Sequence, residues 1–370
     1  MVGCIWSYLP VNTAVPGAVK SDSTLSCGAT AIRSYELFVG IDVSAATVTV
    51  SWMALSGCPS RSVTIDQRAD GYRQLQAQLL AAGVSAPAIL IVLEATGSYW
   101  ITLATTLAEA QFAVAVINPA QAHDFAKALL KRAKTDALDA QMLAELGTRL
   151  QPEPWTPPPN VYAEMQQRLM QREALIQIRT QVRNQRHALL RQPRVIVDVQ
   201  RRMDSLLETL NDQIAEIEGE LTIAMRQDES WAAAAEHLQT ITDVGMLTAN
   251  WILVTTLKFT LCPTPEAAAS HAGLAPYVRS SGSSVRGRAQ IGQFGNRHLQ
   301  RALYLATFSA VRYSPIIKSY YDRLRAAGKP AKVARCAAAR KLLHIAWAVV
   351  TKEQDFNPQQ CVRTALHAAA

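Results

Sequence analysis

Apolar residues in the first 150 positions form short runs that are separated by stretches with helical spacing. Continuous apolar runs at residues 37–43, 88–94 and 112–118 are typical of strands buried on both faces. Residues 47–52 alternate between apolar and polar side chains, and residues 61–65 could form a further strand. Helices are predicted at 71–82, from the turn after 98 to about 110, from 119 to about 130, and from 135 onward. This order predicts an α/β domain with a mixed sheet over residues 35–150.

The second half of the chain has a helical pattern. A proline-rich break at residues 151–160 is a predicted linker. Residues 161–230 are predicted to form a helical coiled-coil segment. Within it, apolar residues recur in steps of four and three and form a heptad seam, whose members are Met203, Leu207, Leu210, Ile214, Ile217 and Leu221. An antiparallel helical hairpin and a dimerising coiled coil both fit that seam. Residues 235–358 are predicted to form a mostly helical C-terminal domain, which opens at 238–249 with a pattern resembling one helix-hairpin-helix element.

Acidic residues end two of the predicted strands and begin one helix. Asp42 ends the first strand, Glu94 ends a central strand, and Asp136 and Asp139 share one face of a helix N-terminus. Carboxylates held close together repel one another unless a cation lies between them, and hard divalent cations take oxygen ligands. Because polar side chains at strand ends line the crevice of such sheets, these carboxylates could converge on a metal ion. Each could instead be a turn or capping residue, with Thr135 or Asp136 capping the helix.

A loop at residues 277–288 is rich in serine, glycine and arginine. Glycine lets a backbone approach a ligand closely, and Arg279, Arg286 and Arg288 could fork onto phosphate oxygens. Composition alone also fits a flexible linker. The helices that follow carry many basic residues, including Arg297 and Arg301, with tyrosines between them and few acids. That combination suits contacts with a DNA backbone and stacking on bases.

The overall charge agrees with a polyanionic partner. The formal net charge is +8 and the pI about 9.3, which favours nucleic acid over a membrane surface. The cysteines are scattered without a Cys-x-x-Cys pair, which fits reduced thiols in a cytosol better than a disulfide framework or a zinc site. No apolar run is long enough to predict a transmembrane helix. Residues 1–34 are predicted to be a disordered lead, and residues 359–370 a frayed tail.

Several motifs, taken in order, resemble those of one known family. The sequence has Gly-Ile-Asp-Val-Ser at 40–44, Leu-Glu-Ala-Thr-Gly at 93–97, Val-Ile-Asn-Pro at 116–119 and Lys-Thr-Asp-Ala-Leu-Asp-Ala at 134–140. The C-terminal part has Gly-Leu-Ala-Pro at 273–276, Ser-Gly at 281–282 and Gly-Asn-Arg at 295–297. This set resembles the DEDD insertion-sequence transposases of the IS110 family. Their N-terminal domain is similar to the RuvC resolvase, which has an RNase H-like fold.

The resemblance implies both a mechanism and partners. It implies that Asp42, Glu94, Asp136 and Asp139 bind Mg²⁺ (or Mn²⁺), and that Ser281 is the nucleophile. It also implies a site-specific DNA recombinase in a bacterial cytoplasm, associated with the nucleoid, in which a structured bridge RNA pairs with donor and target DNA. The working unit would be a homodimer that assembles into a tetramer, without a membrane partner.

The sequence also departs from the family pattern. The family often has a lysine after the first aspartate motif and an acid further along the second strand, where this chain has Ala45 or Ala46 and Thr49. None of these positions is an implied metal ligand, so the metal assignment is unaffected. Two other functions stay open at this point. One is a RuvC-like structure-specific nuclease that hydrolyses DNA with metal-activated water, and the other is a non-catalytic nucleic-acid-binding protein.

Overall fold

The structure is a computed structural model that describes residues 35–54, 62–130, 135–277, 280–281, 285–286, 290–292 and 295–359. The chain divides into two compact units, Met1–Pro157 and Pro158–Ala370. The predicted lead at 1–34 and all but the first residue of the predicted tail at 359–370 lie outside the described residues. In the described ranges, no helix has the length and apolar character needed to cross a bilayer.

A single mixed sheet forms the centre of the first unit. Its strands are β1 (Leu37–Val43), β2 (Thr47–Ala54), β3 (Val63–Asp66), β4 (Ile89–Glu94) and β5 (Ala113–Ile117). They lie in the order β3-β2-β1-β4-β5. Strand β2 is antiparallel to both of its neighbours, β1 and β3, whereas β4 is parallel to both β1 and β5. The apolar runs of the sequence are the buried strands β1, β4 and β5. This sheet and the helical remainder confirm the predicted fold class.

Helices cover both faces of the sheet, and each face has its own apolar cluster. The helices of this unit are α1 (Ala69–Leu80), α2 (Trp100–Glu109), α3 (Pro119–Ala128) and α4 (Asp136–Leu150). Val39 and Ile41 of β1 pack in one cluster, with residues of α1 and α2. Phe38 packs in the other cluster, with residues of α3 and α4. The split follows from the alternation of side chains along a strand.

The packing of α4 on β1 depends on Gly40. A Cβ atom at Gly40 would collide with the backbone of Ala140 and Ala144 and would lie 2.9 Å from the carbonyl carbon of Leu143. Further along the helix, a Cβ on Gly147 would lie 2.9 Å from a methyl of Val92. The absence of a side chain therefore lets the helix backbone lie directly on the strand.

The predicted linker is partly packed into the first unit. The backbone N–H of Trp155 donates to the carbonyl of Val114 at 2.6 Å. The Trp155 ring lies edge-on to Trp100, with 5.5 Å between ring centroids, and is only 8% exposed. The compact unit accordingly ends at Pro157, inside the predicted linker of residues 151–160.

Two long antiparallel helices open the second unit: α5 (Asn160–Leu189) and α6 (Val197–Arg226). They pack against each other along their length. Leu210, Ile214, Ile217 and Leu221 of the predicted seam are buried, while Met203 and Leu207 are half-buried. A hairpin within one chain therefore accounts for the seam, as one of the two sequence interpretations predicted.

Arginines of α5 hold this hairpin together from outside the seam. Arg168 Nε donates to Glu220 at 3.0 Å, and Arg172 Nε donates to Glu218 at 2.7 Å. Nearer the turn, Arg186 pairs with Asp204. These arginines are therefore matched by carboxylates of α6 and are not a free phosphate-binding face.

The rest of the second unit packs around one apolar helix. The helices are α7 (Glu229–Gln239), α8 (Met246–Thr256), α9 (Pro265–His271), α10 (Arg297–Tyr313), α11 (Pro315–Ala326) and α12 (Ala331–Thr351). Helix α12 contacts α7, α9, α10 and α11. Its Ala338, Leu342, Leu343 and Ala346 are fully buried, so α12 forms the centre of this helical layer.

Replacing Gly40 with alanine should loosen α4 from the sheet. The new methyl group meets backbone atoms that cannot rotate away, so we expect Gly40→Ala to lower the free energy of unfolding by about 3 kcal/mol or more. Hydrogen–deuterium exchange should accelerate in peptides from β1 and α4. The control is Gly219→Ala on the exposed side of α6, where a Cβ meets nothing within 4 Å. That variant should have an unchanged or slightly higher free energy of unfolding. Equal free energies of unfolding for the two variants would contradict the close packing of α4 on Gly40.

Candidate active site

Two of the four predicted metal ligands lie side by side at one edge of the sheet. Ile41 of β1 is in register with Leu93 of β4, so the next residues, Asp42 and Glu94, lie at the carboxyl ends of adjacent parallel strands. By strand alternation both continue the row of Phe38, Gly40, Leu90 and Val92, which is the face that α4 covers. Both side chains are half-buried. The carboxylate oxygens of Asp42 and Glu94 therefore lie at the carboxyl ends of these strands, and hard cations prefer such ligands.

The other two predicted ligands lie in the first turn of α4. Residues 140–144 of α4 lie over Gly40, whereas Gly147 lies over Phe38 and Val92. The helix therefore runs antiparallel to β1 and begins at the edge where β1 and β4 end. Asp136 and Asp139 in its first turn are consequently brought to the same edge as Asp42 and Glu94. Asp139 is half-buried and Asp136 is exposed.

The local sequence also fixes where α4 begins. The hydroxyl of Thr135 accepts a hydrogen bond from the N–H of Leu138 at 3.3 Å, so Thr135 is the N-cap. That leaves the carboxylate of Asp136 available for another role. Of the two capping residues that the sequence allowed, the structure selects the one that is not a predicted ligand.

The donor chemistry of this edge suits a divalent cation, but the side chains are not arranged around one. Among the described residues, no three His, Cys, Asp or Glu side chains form a group that could hold a metal ion. Glu94 instead accepts a hydrogen bond from the hydroxyl of Thr96 at 2.6 Å. The fold thus places the four carboxylates at one edge of the sheet, and their binding of a metal ion stays a prediction.

The serine loop forms two nested pairs of short strands. Strand β6 (Pro276–Tyr277) pairs with β9 (Gln290–Ile291), and inside it β7 (Ser280–Ser281) pairs with β8 (Val285–Arg286). We call residues 276–291 the serine hairpin. Ser281 is opposite Val285, so its backbone lies at the end of the inner ladder. The flexible linker that composition allowed is therefore an ordered hairpin at the strands that the structure describes.

The two ends of the serine hairpin are clamped together. A Cβ on Gly295, whose φ is +100°, would lie 2.6 Å from the Cα of Gly273 and 2.8 Å from the carbonyl oxygen of His271. The N–H of Asn296 donates to that carbonyl at 2.7 Å, and the Gln300 amide donates to the carbonyl of Gly273 at 2.8 Å. Two glycines in backbone contact therefore fix the base of the hairpin.

Asn296 and His271 support this clamp without taking part in chemistry. The Asn296 side chain, which is buried, caps α10 by accepting from the N–H groups of His298 and Leu299. The His271 ring lies 2.8 Å from the carbonyl oxygen of Thr255, and burial lowers the pKa of His271. His271 is therefore a hydrogen-bonded residue of the core.

The predicted phosphate-binding arginines are only partly described. Arg279 and Arg288 lie outside the described residues, and Arg286 is placed by its backbone opposite Ser280. Arg297 is the first residue of α10. Arg301, one turn later, forms an ion pair with Glu173 of α5, so its charge is already matched.

The predicted helix-hairpin-helix element is observed as a helix–turn–helix. Helix α7 ends at Gln239 and α8 begins after Gly245, with Ile241 and Val244 buried between them. Asp243 adopts a φ of +78°, a left-handed conformation that glycine adopts more readily. Asp243 thus takes the turn conformation in place of a glycine. Binding of phosphate by this turn stays a prediction.

Sequence reasoning quoted Gly40 and Gly295 in motifs but assigned them no role. Both are contact points between backbones, and a glycine inside a buried strand or beside a helix cap was the available signal. Which backbone each glycine touches depends on the tertiary structure.

The clamp predicts different effects for two glycines with positive φ. Gly295→Ala adds both backbone strain and collisions with Gly273, whereas at Gly328 (φ +75°) a Cβ meets nothing within 4 Å. Gly328→Ala should therefore cost only about 1–2 kcal/mol of strain, and Gly295→Ala clearly more. Thermal unfolding measures the cost, and exchange of residues 271–300 localises it. Equal losses of stability in the two variants would show that the contact with Gly273 contributes nothing.

Two family models match the chain. Residues 39–195 match a model of the DEDD IS110 type that is described as a transposase. Residues 235–322 match a second model, described as transposase of the IS116/IS110/IS902 family. The first match contains all four carboxylates, and the second contains the serine hairpin.

Individual relatives support the same conclusion. The pilin gene-inverting protein of Moraxella bovis is 28% identical over 326 residues, which are 86% of this chain and 97% of that protein. The insertion element IS110 uncharacterized 43.6 kDa protein of Streptomyces coelicolor is 39% identical over 113 residues, covering 30% of this chain and 28% of that protein. With both halves of the chain matched in order, the chain belongs to the IS110 family of transposases and is a DNA transposase/recombinase.

Proposed function

We propose that this transposase is an RNA-guided, site-specific DNA recombinase in which Ser281 attacks a DNA phosphate beside a carboxylate-bound divalent cation. The observation that carries the proposal is the meeting of Asp42, Glu94 and the first turn of α4 at one edge of the sheet. The pilin gene-inverting relative is named for rearranging a DNA segment, which agrees with recombination rather than simple degradation.

The carboxylates are proposed to hold the cation. Asp42 and Glu94 would bind it from the strand ends, and Asp136 and Asp139 would bind it from the helix. Their oxygen atoms are the ligands that Mg²⁺ or Mn²⁺ prefers. A cation bound there would supply Lewis-acid polarisation of a phosphate and would neutralise its charge. Glu94 would have to exchange its hydrogen bond with Thr96 for the cation.

The serine accounts for rejoining without an external energy source. Attack by the Ser281 hydroxyl oxygen on phosphorus forms a phosphoserine ester and breaks one phosphorus–oxygen bond of the DNA backbone. The hydroxyl proton leaves the serine, and the departing sugar oxygen takes up a proton. Because the bond energy is kept in the ester, the reverse attack by another strand end restores a phosphodiester. Arg279, Arg286 and Arg288 are proposed to hold the phosphate during this exchange.

The partners of the reaction come from the family resemblance. A bridge RNA would select donor and target DNA by base pairing, and homodimers would assemble into a tetramer on them. The family resemblance further implies that the carboxylates of one copy act with the serine of another. The formal net charge of +8 supports a polyanionic partner of either kind.

Removal of the Ser281 hydroxyl should eliminate covalent products. We expect wild-type protein, purified with its RNA, to form covalent protein–DNA adducts on a donor or target duplex, and Ser281→Ala to form none. Ser280→Ala, which removes the neighbouring hydroxyl of the same strand, is the matched control and should keep the adducts. Treatment with ribonuclease should abolish adducts of the wild-type protein. Adducts with Ser281→Ala would disprove the serine assignment, and cleavage without adducts in any variant would favour the metal-dependent nuclease.

Loss of a carboxylate at the sheet edge should reduce DNA cleavage and metal binding without unfolding the protein. Asp42→Asn and Glu94→Gln keep side-chain size but remove a charge, so we expect DNA cleavage to fall at least about 100-fold while the protein stays folded. Binding of Mn²⁺, measured by electron paramagnetic resonance, should weaken in parallel. Asp66→Asn is the control, because Asp66 also ends a strand of this sheet but is exposed on the outer strand β3. Unchanged recombination in both variants would instead favour a role in binding alone.

A further inference from the structure

A cavity of about 560 Å³ opens between α11, α12 and the segment that follows α12. Its wall includes Tyr320 from α11, Arg340, Lys341 and His344 from α12, and Phe356 from the following segment. A volume of this size is in the range of pockets that hold one small organic ligand. No residue of the candidate active site contributes to it.

The cavity wall carries more positive than negative charge. Arg340, Lys341 and Lys352 line it with one carboxylate, that of Asp355, which lies 2.7 Å from His237 Nδ1. Helix α12 contains no aspartate or glutamate, and the single acid of α11, Asp322, pairs with Lys318. Within the described ranges neither Arg340 nor Lys341 forms an ion pair with a carboxylate. Both side chains are nevertheless half-buried. Half-buried cations without a carboxylate partner favour an anion from outside the chain.

The cations of the cavity differ from those of the α5–α6 hairpin. On that hairpin, Arg168 and Arg172 each pair with a glutamate of α6. Other half-buried arginines of this unit, such as Arg179 and Arg335, also have no carboxylate partner among the described residues. What sets Arg340 and Lys341 apart is therefore their common place in the wall of one cavity.

The cavity wall also contains an aromatic ring, that of Tyr320, over which two cations lie. The ammonium of Lys341 lies 4.9 Å from the centroid of the Tyr320 ring, and the guanidinium of Arg323 lies 5.3 Å from it. Ile345 and Val349 supply apolar floor on the α12 side. Burial, together with the Arg340 charge, lowers the pKa of His344, whose Nε2 lies 3.5 Å from Arg340 Nε. A neutral His344 can present an uncharged ring beside the cations.

We propose that this cavity binds one unpaired nucleotide of a nucleic-acid strand, with its base against Tyr320 and its phosphate on Arg340 and Lys341. A phosphate satisfies the unmatched cations, and a base satisfies the ring and the apolar floor. A paired base in a duplex is covered by its neighbours and its partner, so the cavity selects single strands. The proposal extends the proposed function, since guide RNA and DNA undergoing exchange both contain unpaired nucleotides.

Strand binding should depend on the cavity and not on net charge. With Ser281→Ala protein stripped of RNA, fluorescence anisotropy is measured for one labelled single strand, as DNA and as RNA, and for the matching duplex. We expect Tyr320→Leu and Lys341→Gln each to weaken single-strand binding about tenfold. Lys341→Gln should also reduce the slope of log K against log salt by about one. Lys318→Gln removes the same charge from a matched pair on the exposed side of α11 and should change binding less than about twofold.

Crosslinking locates the bound nucleotide. A strand carrying one 5-iodouracil should crosslink to Tyr320 on irradiation, and an excess of unlabelled single strand should compete more strongly than duplex. Equal weakening by Lys341→Gln and Lys318→Gln, equal competition by duplex, or a crosslink that maps elsewhere would overturn the cavity assignment. Comparison of the DNA and RNA arms identifies the strand that uses the cavity. Because Ser281→Ala cannot react, this result is independent of whether wild-type protein forms adducts, so the two proposals can fail separately.

Discussion

Backbone contact at Gly40 is the constraint on which the first unit depends. In most helix-on-sheet packing, side chains keep the two backbones apart, but here the backbone of α4 at Ala140 and Ala144 lies where a Cβ of residue 40 would be. This contact fixes both the height of the helix above the sheet and its position along β1. The carboxylates in the first turn of α4 are placed by the same contact, because they precede Ala140 by less than two turns. The proposed metal centre combines strand ends with the start of a helix, so it requires that the helix keep a fixed position relative to the strands.

The second unit uses the same device for a different group. Gly295 lies against Gly273, and the hydrogen bonds of Asn296 and Gln300 hold the two backbones together. The hairpin that carries Ser281 therefore projects from a rigid base although its own strands are only two residues long. A nucleophile must approach phosphorus within a narrow range of positions, so a clamped base suits the role proposed for Ser281. Both halves of the proposed site are thus held by glycine contacts outside the reacting groups.

Local sequence patterns predicted most of the strands and helices. They could not predict features that depend on contacts between residues distant in the sequence. Apolar runs placed β1, β4 and β5 within a residue or two, because a strand buried on both faces leaves a direct signal in the sequence. The acidic residues were placed at strand and helix ends by the same pattern, and the structure brings those ends to one edge. The pairing of Arg168 and Arg172 could not be predicted, since their glutamates lie on a second helix whose register is set by the seam. Composition alone also suggested a flexible serine loop, whereas pairing between distant residues orders its strands.

The distribution of matched and unmatched charge connects the fold to its partners. Where α5 and α6 must stay together, arginine and glutamate are paired across the hairpin, and those charges attract nucleic acid only weakly. Helix α12 has no carboxylate of its own, and the one carboxylate in the cavity wall, that of Asp355, pairs with His237, so the positive charge of Arg340 and Lys341 prevails in the cavity. A strand that binds there releases counterions and stacks a base at the same time, which a matched surface cannot offer. Positive charge attracts nucleic acid most where it has no carboxylate partner, and at this cavity it also lies beside an aromatic ring, so charge and stacking act on the same nucleotide.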